Sequence, residues 1–455
     1  MALLTAPAPA PAPGSRPDNR VRPVGRLAAR ARSTPGRLTG LMVLLVALGL
    51  LAGTAAAVGI MQRSALVDGV RHDTGPLTVQ AQELYRSLSD ADATAASAFL
   101  SNGVEPAPLR QRYQDDIAAA SAALAAVTAG TGTDRARVGR IAAQLPVYTG
   151  LVDTARTYNR LGIPLGAAYL REASGLMRAD LLPAAQELYK QESDRLAGDL
   201  SGGAGFPWLA VPLLLITIAA LVLAARYLTR RTQRLLNIGL VVATGAALLM
   251  LAWTTVSWLS VQGHLSRAQR AGADVVDELA SARIAALNAR ADEALTLVAR
   301  GSGGEFDKDF GDKMNQLGGR LGAARADAPG ATGTAALTDV GKAMNAAGQA
   351  VADAQEHAKT WRDAHTKVRD QDNAGNYPEA VRLAVGDQSG GAAQAFASLD
   401  DNLAGGIAAA NRVFDLEARA AADGFTLAVP GLVVLTLLLL TGMVAGLQQR
   451  IAEYR

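Results

Sequence analysis

One stretch of the sequence gathers side chains that could bind a ligand or a protein partner. Residues 158–174 read YNRLGIPLGAAYLREAS. The candidate binding residues in this stretch are Tyr158, Asn159, Arg160, Tyr169, Arg171 and Glu172. Arginine and tyrosine often anchor carboxylates and protein partners, so the stretch predicts a docking site. The alternative is a well-capped corner, in which Gly162 and Pro164 end one helix and start the next.

Catalytic and metal-binding patterns are missing from the sequence. The chain has no cysteine, which excludes disulfides, thiolate metal sites and cysteine nucleophiles. Gly341-Lys342 is followed by Ala343 and lacks the upstream glycine of a phosphate loop. The acidic run from Asp307 to Asp312 lacks the glycine and glutamate that a calcium loop requires, and a solvated helix start is expected instead. We therefore expect no enzyme activity, no metal and no cofactor.

The remaining titratable residues are expected to lie on helix surfaces. His357 and His365 are eight residues apart, too far to chelate one ion on a helix, and both are expected at the surface. Two acid pairs occur, Asp115-Asp116 and Asp400-Asp401. Within each pair the two side chains point about 100° apart on a helix, so they cannot converge on a substrate as an acid and a base.

Four apolar stretches determine how these side chains are positioned. Each lacks Asp, Glu, Lys and Arg and is long enough to cross about 30 Å of hydrocarbon. The stretches are residues 38–62, 206–225, 235–261 and 425–447. They predict a multi-pass membrane protein with four transmembrane helices.

The charges between these stretches predict the topology. Residues 1–37 carry seven arginines and one aspartate, and the loop 226–234 carries Arg226, Arg230, Arg231 and Arg234. The longer regions 63–205 and 262–424 have net charges of −2 and −6. Basic residues beside membrane segments stay on the cytoplasmic side. Both termini and the loop 226–234 are therefore predicted to lie in the cytoplasm, and the protein is predicted to lie in the cytoplasmic membrane. The pI near 9.2 is thus a sign of topology and does not predict nucleic-acid binding.

The basic ends of the chain leave two further alternatives. Residues 1–37, rich in Pro and Ala, are predicted to be disordered and to act as a charge anchor, or to bind anionic lipid. The same N-terminus resembles a cleavable secretory signal, although its apolar run is long for one. The arginines of the loop 226–234 are candidates for contact with a cytoplasmic partner or with membrane lipids.

Internal similarity predicts a duplication. Each half reads as a membrane helix, a long polar region and a return helix. Both return helices contain LAVP, at 209–212 and at 427–430. The polar regions share an Ala-Asp start, ADATAASAFLSNG from 91 and ADEALTLVARGSG from 291.

Both polar regions are predicted to be helical throughout. Leu84, Leu88, Ala91, Ala95 and Phe99 follow the spacing of one helix face. Helix-breaking segments divide the first region at 102–108, 130–133 and 161–164, and the second at 301–304, 325–333 and 372–377. The predicted fold is an all-α membrane protein with two extracytoplasmic antiparallel four-helix bundles. Small residues in the membrane segments would suit a homodimer.

The chain resembles a known family in several segments. These are ADATAASAFL at 91–100, RYQDDI at 112–117, the stretch 158–174 with LLPAAQELY after it, and ADEALTLVARGSGG at 291–304. With the four-pass plan, these segments resemble the GlnX-type membrane proteins of actinobacteria. The polar regions also resemble the four-helix sensory ectodomains of bacterial chemoreceptors, without their cytoplasmic signalling domain.

The resemblance implies a relay between an extracytoplasmic amino-acid-binding protein and a cytoplasmic Ser/Thr kinase. It carries over no functional residue. The predicted cytoplasmic parts total 54 residues, too few for a catalytic domain, so a relay would act through a partner. The alternative is a structural or accessory subunit of an envelope or transport complex, which predicts constitutive partners and no ligand-dependent change in the loop 226–234.

Overall fold

The computed structural model describes residues 34–101, 104–130, 134–232, 237–328, 330–386, 389–426 and 428–452. Within these residues the chain is helical and contains no strand, which confirms the all-α prediction. Most of the predicted disordered tail lies outside the described residues. So do Arg234 and the side chain of Arg231.

The first half of the chain contains seven α-helices. Their bounds are α1 Thr34–Gly69, α2 Gly75–Phe99, α3 Ala107–Ala129, α4 Arg135–Arg160, α5 Leu165–Leu176, α6 Leu182–Ala204 and α7 Ala210–Thr232. Two short π-helical segments, which we call π-turns, join consecutive helices at Val70–Thr74 and Met177–Leu181. The helix ends in this half coincide with the three predicted breaks. At one of them Asp134 caps α4 by accepting hydrogen bonds from the amides of Ala136 and Arg137.

The second half follows the same order with one addition. Its helices are α8 Ile238–Arg267, α9 Asp274–Val298, α10 Gly304–Asp327, α11 Asp339–Asn373, α12 Tyr377–Val385, α13 Ala392–Thr426 and α14 Ala428–Ala452. A third π-turn, Ala268–Ala273, precedes α9, and a 3-10 turn, Gly333–Leu337, precedes α11. The short helix α12 was not predicted. The internal duplication stays a prediction.

Four helices are long and apolar enough to cross a membrane. These candidate spans lie in the helical stretches Leu38–Phe99, Ala210–Arg230, Ile238–Val298 and Ala392–Gln449. Each overlaps one of the apolar segments found in the sequence.

The chain divides into two compact units. The span unit comprises Met1–Ala56, Trp208–Ala252 and Leu432–Arg455, and the bundle unit comprises Ala57–Pro207 and Trp253–Gly431. The bundle unit therefore contains both of the predicted polar regions. One hydrophobic core runs through them, from Ala81 in α2 to Ala410 in α13.

Helices α2 and α9 form the centre of the bundle unit. Every residue from Ser87 to Ala98 and from Ala289 to Val298 is buried. Small residues dominate the first of these segments, SLSDADATAASA, so neighbouring helices can approach it closely. The two central helices nevertheless carry buried charges, namely Asp90, Asp92, Arg290, Asp292 and Glu293.

Close glycine contacts hold the helices of the span unit together. A Cβ added at Gly239 of α8 would lie 2.4 Å from the Cα of Gly446 in α14. Gly442 also meets α8, where an added Cβ would lie 2.9 Å from the amide nitrogen of Ala243. The Asn237 side chain donates a hydrogen bond to the carbonyl of Gly446 at 2.8 Å. Such contacts are typical of helix pairs that pack through small residues in membranes.

We expect Gly239→Val to destabilise the span unit by about 1–3 kcal/mol, because a larger side chain must push the two backbones apart. Gly245→Val is the matched control on the same helix, since an added Cβ there meets no atom within 4 Å. Thermal unfolding of the two variants in nanodiscs checks this expectation. Equal melting temperatures would show that the α8–α14 contact contributes nothing.

Candidate functional site

The corner between α4 and α5 is built by its own backbone. Gly162 adopts a positive φ of 66°, which costs glycine no steric strain. The amide of Ile163 donates to the carbonyl of Tyr158 at 2.9 Å, and the amide of Gly162 donates to Asn159 at 3.0 Å. These bonds satisfy the last carbonyls of α4. The predicted capped corner is therefore present, and it is the scaffold on which the candidate residues stand.

Three of the predicted residues are fixed around this corner. The rings of Tyr158 and Tyr169 stack with centroids 5.6 Å apart and planes 3° from parallel. Asn159 donates from Nδ2 to the carbonyl of Phe99 at 2.9 Å, which ties the corner to the end of α2. The corner is thus attached to the central helix and is not a free loop.

An open cleft lies beside the corner, and we call it the corner cleft. It has a volume of about 570 Å³ and receives residues from both halves of the chain. Asn159 and Arg160 line it from the first half, and Val298, Arg300 and Tyr377 line it from the second. Two guanidinium groups therefore border one cavity.

Arg300 is held in an unusual conformation at the edge of the corner cleft. Its φ is 42°, the one positive value for a residue other than glycine among the described residues. Its guanidinium lies 4.9 Å from the ring centre of Tyr377, within cation–π distance. Burial raises the pKa of the Tyr377 hydroxyl, and the Arg300 charge partly offsets this shift. Local strain of this kind is concentrated at binding sites.

The structure places the other predicted residues elsewhere. Arg171 and Glu172 are exposed on α5 and do not line the corner cleft. Arg226 and Arg230 are exposed and four residues apart on α7, so they share one helix face.

Sequence reasoning missed a buried charge cluster between the two halves. Asp92 of α2 accepts hydrogen bonds from Ser174 Oγ at 2.7 Å and from Tyr148 Oη at 3.5 Å. Arg178, in the second π-turn, donates to Asp292 of α9 and brings its Nε within 3.8 Å of Asp92. One arginine thus lies between two aspartates that are 200 positions apart in the sequence. The equivalent positions of these two aspartates in the two halves were the only sequence signal that could have pointed to this cluster.

A second network corrects the prediction of exposed acid pairs. Asp116 and Asp400 are buried, whereas Asp115 and Asp401 are exposed. Arg112 pairs with Asp90 at 3.0 Å and reaches Asp400 at 3.6 Å across the two halves. Arg283 also binds Asp400, at 2.6 Å. The physical reason for the error is that each buried acid meets arginines from distant segments of the chain.

The surface prediction for His365 is also wrong. Its ring is buried, with Nδ1 3.1 Å from Glu293 Oε1 and Nε2 3.0 Å from Asp307 Oδ1. It also stacks on Phe310. The two carboxylates make burial of the imidazole favourable. Among the described residues, no group of three or more His, Asp or Glu side chains could hold a metal ion.

Comparison with protein families gives one match. Residues 66–201 match the family model described as an actinobacterial sensor domain. The matched segment runs from the end of α1 to α6 and includes the α4–α5 corner. It supports a sensor protein from actinobacteria. Comparisons with curated proteins and with solved structures give no match.

The buried acid Asp116 leads to a pH prediction. Burial, and after it the neighbouring charge of Asp90, raises the pKa of Asp116 above its ordinary value of 3.8. The ionised form is therefore disfavoured in the folded protein. The resulting loss of stability is absent below pH 3.8 and grows as the pH rises toward the raised pKa.

We expect Asp116→Asn to raise the free energy of unfolding by about 1–2 kcal/mol at pH 8.5, with the gain shrinking toward pH 5. Asp115→Asn, at the exposed neighbour, is the control and should show no such pH dependence. Urea unfolding at both pH values measures the effect. If Asp116→Asn were the less stable protein at pH 8.5, ion pairing with Arg86 would outweigh burial.

Proposed function

We propose that this chain is a non-enzymatic signal relay in the cytoplasmic membrane. In this proposal an extracytoplasmic solute-binding protein delivers an amino-acid signal to the bundle unit, and a cytoplasmic Ser/Thr kinase receives it. The match of residues 66–201 to a sensor domain supports the sensing role. The observation that carries the proposal is the corner cleft, with Arg160 and Arg300 on its walls.

The chemistry of the corner cleft suits a carboxylate. Guanidinium groups bind carboxylates through paired, charge-assisted hydrogen bonds. The side chains of Asn159 and Tyr377 add an amide and a hydroxyl to the same cavity. In our proposal, an acidic group of the docked binding protein or its bound amino acid occupies the corner cleft.

The surface around the cleft suits a protein partner. Leu161, Ile163 and Leu165 follow Arg160 directly and are 66%, 40% and 47% exposed. Apolar side chains beside an arginine are the composition of protein interaction sites. The corner is held by backbone hydrogen bonds and by Asn159, so docking would order few additional residues.

The output side of the proposal rests on the basic loop. With the charge distribution of the sequence, the positive-inside rule puts residues 226–234 in the cytoplasm. Arg226 and Arg230 present one exposed face there, which suits an acidic kinase surface or anionic lipid. Helix α1 runs from Thr34 to Gly69 without a break.

We expect the double variant Arg160→Ala with Arg300→Ala to lower capture of the solute-binding protein at least tenfold. The measurement is photo-crosslinking in living cells from a single cysteine placed near Tyr169, with captured proteins identified by mass spectrometry. Native cysteines do not interfere, since the chain has none. Arg171→Ala is the matched control, because Arg171 is an exposed arginine close in sequence that does not line the cleft.

A second crosslinker at Thr232 tests the output. Capture of a Ser/Thr kinase there that changes with the amino acid supplied outside would support the relay. Capture of only the chain itself, or of envelope-building proteins, at both positions would replace the relay with a structural or accessory role.

A further inference from the structure

Two of the three π-turns precede the two central helices of the bundle unit. Val70–Thr74 leads into α2 and Ala268–Ala273 leads into α9. A π-turn holds one more residue than an α-helical turn and often occurs at functional sites. The hydroxyl of Thr74 is buried in the first turn without a hydrogen-bond partner. These segments set the register at which each central helix begins.

Phe414 of α13 packs against both turns. A Cβ added at Gly272 would lie 2.8 Å from the Cβ of Phe414, and one added at Gly75 would lie 3.8 Å from its ring. At Gly75 the added Cβ would also lie 2.4 Å from the carbonyl oxygen of Val70. Only glycine therefore fits at these two places. Whatever contacts Phe414 is close to both π-turns.

A cavity of about 450 Å³ opens at this point, and we call it the π-turn cleft. Val70 and Ala273 line it from the two π-turns themselves. Its apolar wall includes Val79, Leu196 and Phe414. Small-molecule sites are commonly clefts of about 300–1,000 Å³ with mostly apolar walls and few polar groups.

The charged residues of the π-turn cleft leave a surplus of positive charge. Arg71 and Arg419 line the cleft with one acid, Asp415. Among the described residues, neither guanidinium has a carboxylate within ion-pair distance. This separates them from Arg112, Arg178 and Arg283, which all bind aspartates. An apolar wall beside two unpaired cations is complementary to an apolar molecule that carries one carboxylate.

We propose that the π-turn cleft binds an amphipathic carboxylate. Its apolar body packs against Phe414, Val79 and Leu196, and its carboxylate binds Arg71 and Arg419. The site is separate from the corner cleft, since the two lie at opposite ends of α2, about 36 Å apart at 1.5 Å per residue. A ligand here touches both π-turns and would favour one register of the central helices.

The test is equilibrium binding of radiolabelled decanoate to the full chain in nanodiscs of zwitterionic lipid. We expect saturable binding that the uncharged analogue decanol does not displace. The double variant Arg71→Ala with Arg419→Ala should weaken binding at least tenfold, because both charge-assisted contacts are lost. Arg160→Ala should bind decanoate normally, which separates this proposal from the function proposed for the corner cleft.

A substitution that fills the π-turn cleft tests the site independently of the two arginines. Val79→Trp should abolish binding, since Val79 lines the cleft and is 45% exposed, so the larger ring fits without disturbing the core. Val147→Trp is the matched control on α4, at a valine that is 51% exposed and lies outside the cleft. Equal melting temperatures of the two variants would show that both fold.

The source of the ligand is distinguished by competition. If 3-phenylpropanoate displaces decanoate only weakly, the natural ligand of the π-turn cleft is a fatty acid. If it displaces decanoate strongly, the natural ligand is an aromatic acid. Either result supports the site. Absence of saturable decanoate binding, or binding that Val79→Trp leaves unchanged, would overturn it.

Discussion

The bundle unit depends on the neutralisation of charges buried on its two central helices. Removing a carboxylate from water costs several kcal/mol unless a partner and further hydrogen bonds compensate. Asp92 and Asp292 share one arginine, Arg178, and Asp400 of the second half is bound by Arg283 and approached by Arg112 of the first. Two of these contacts cross between the halves: Arg178 of the first half binds Asp292 of the second, and Arg112 of the first half reaches Asp400 of the second. These charge contacts accompany the single core that runs through both halves.

This arrangement also makes the interface between the halves specific. Apolar contacts between alanine-rich helices tolerate sliding, because many registers bury similar area. A buried ion pair does not tolerate sliding, since a shift of one helical turn leaves a charge without its partner. Two buried atoms of this contact have no hydrogen-bond partner, Nη2 of Arg178 and Oδ2 of Asp292. The central contact therefore leaves part of its hydrogen-bonding capacity unused.

The sequence was sufficient for those features that local patterns determine. Residue periodicity, glycine and proline breaks and uncharged apolar stretches predicted the all-α fold, the four candidate spans and most helix ends. At the site, they predicted that Asn159 and Arg160 stand on a capped corner. They could not predict Arg300 or Tyr377 in the same cleft, because these come from the other half and no local signal pairs them.

The errors have one physical origin. His365, Asp116 and Asp400 were expected at the surface because an isolated charge on a helix belongs in water. Each instead lies where tertiary packing brings an opposite charge from another helix, which no local pattern reveals. The π-turns were missed for a related reason. Two of the three turns lie beside Phe414, which is more than 100 residues away along the chain, and no local pattern signals that contact.

Helix α2 connects the two clefts physically. It ends beside the corner cleft and begins beside the π-turn cleft, and from Ser87 to Ala98 it is buried on all sides. A close-packed interior transmits strain, so a change at one end of this helix would be passed along it. The π-turn at Val70–Thr74 is the place where such movement can be accommodated, since its hydrogen bonding is already irregular. Occupancy of either cleft would then act on the same mechanical element, and each ligand would alter the affinity for the other by the same factor.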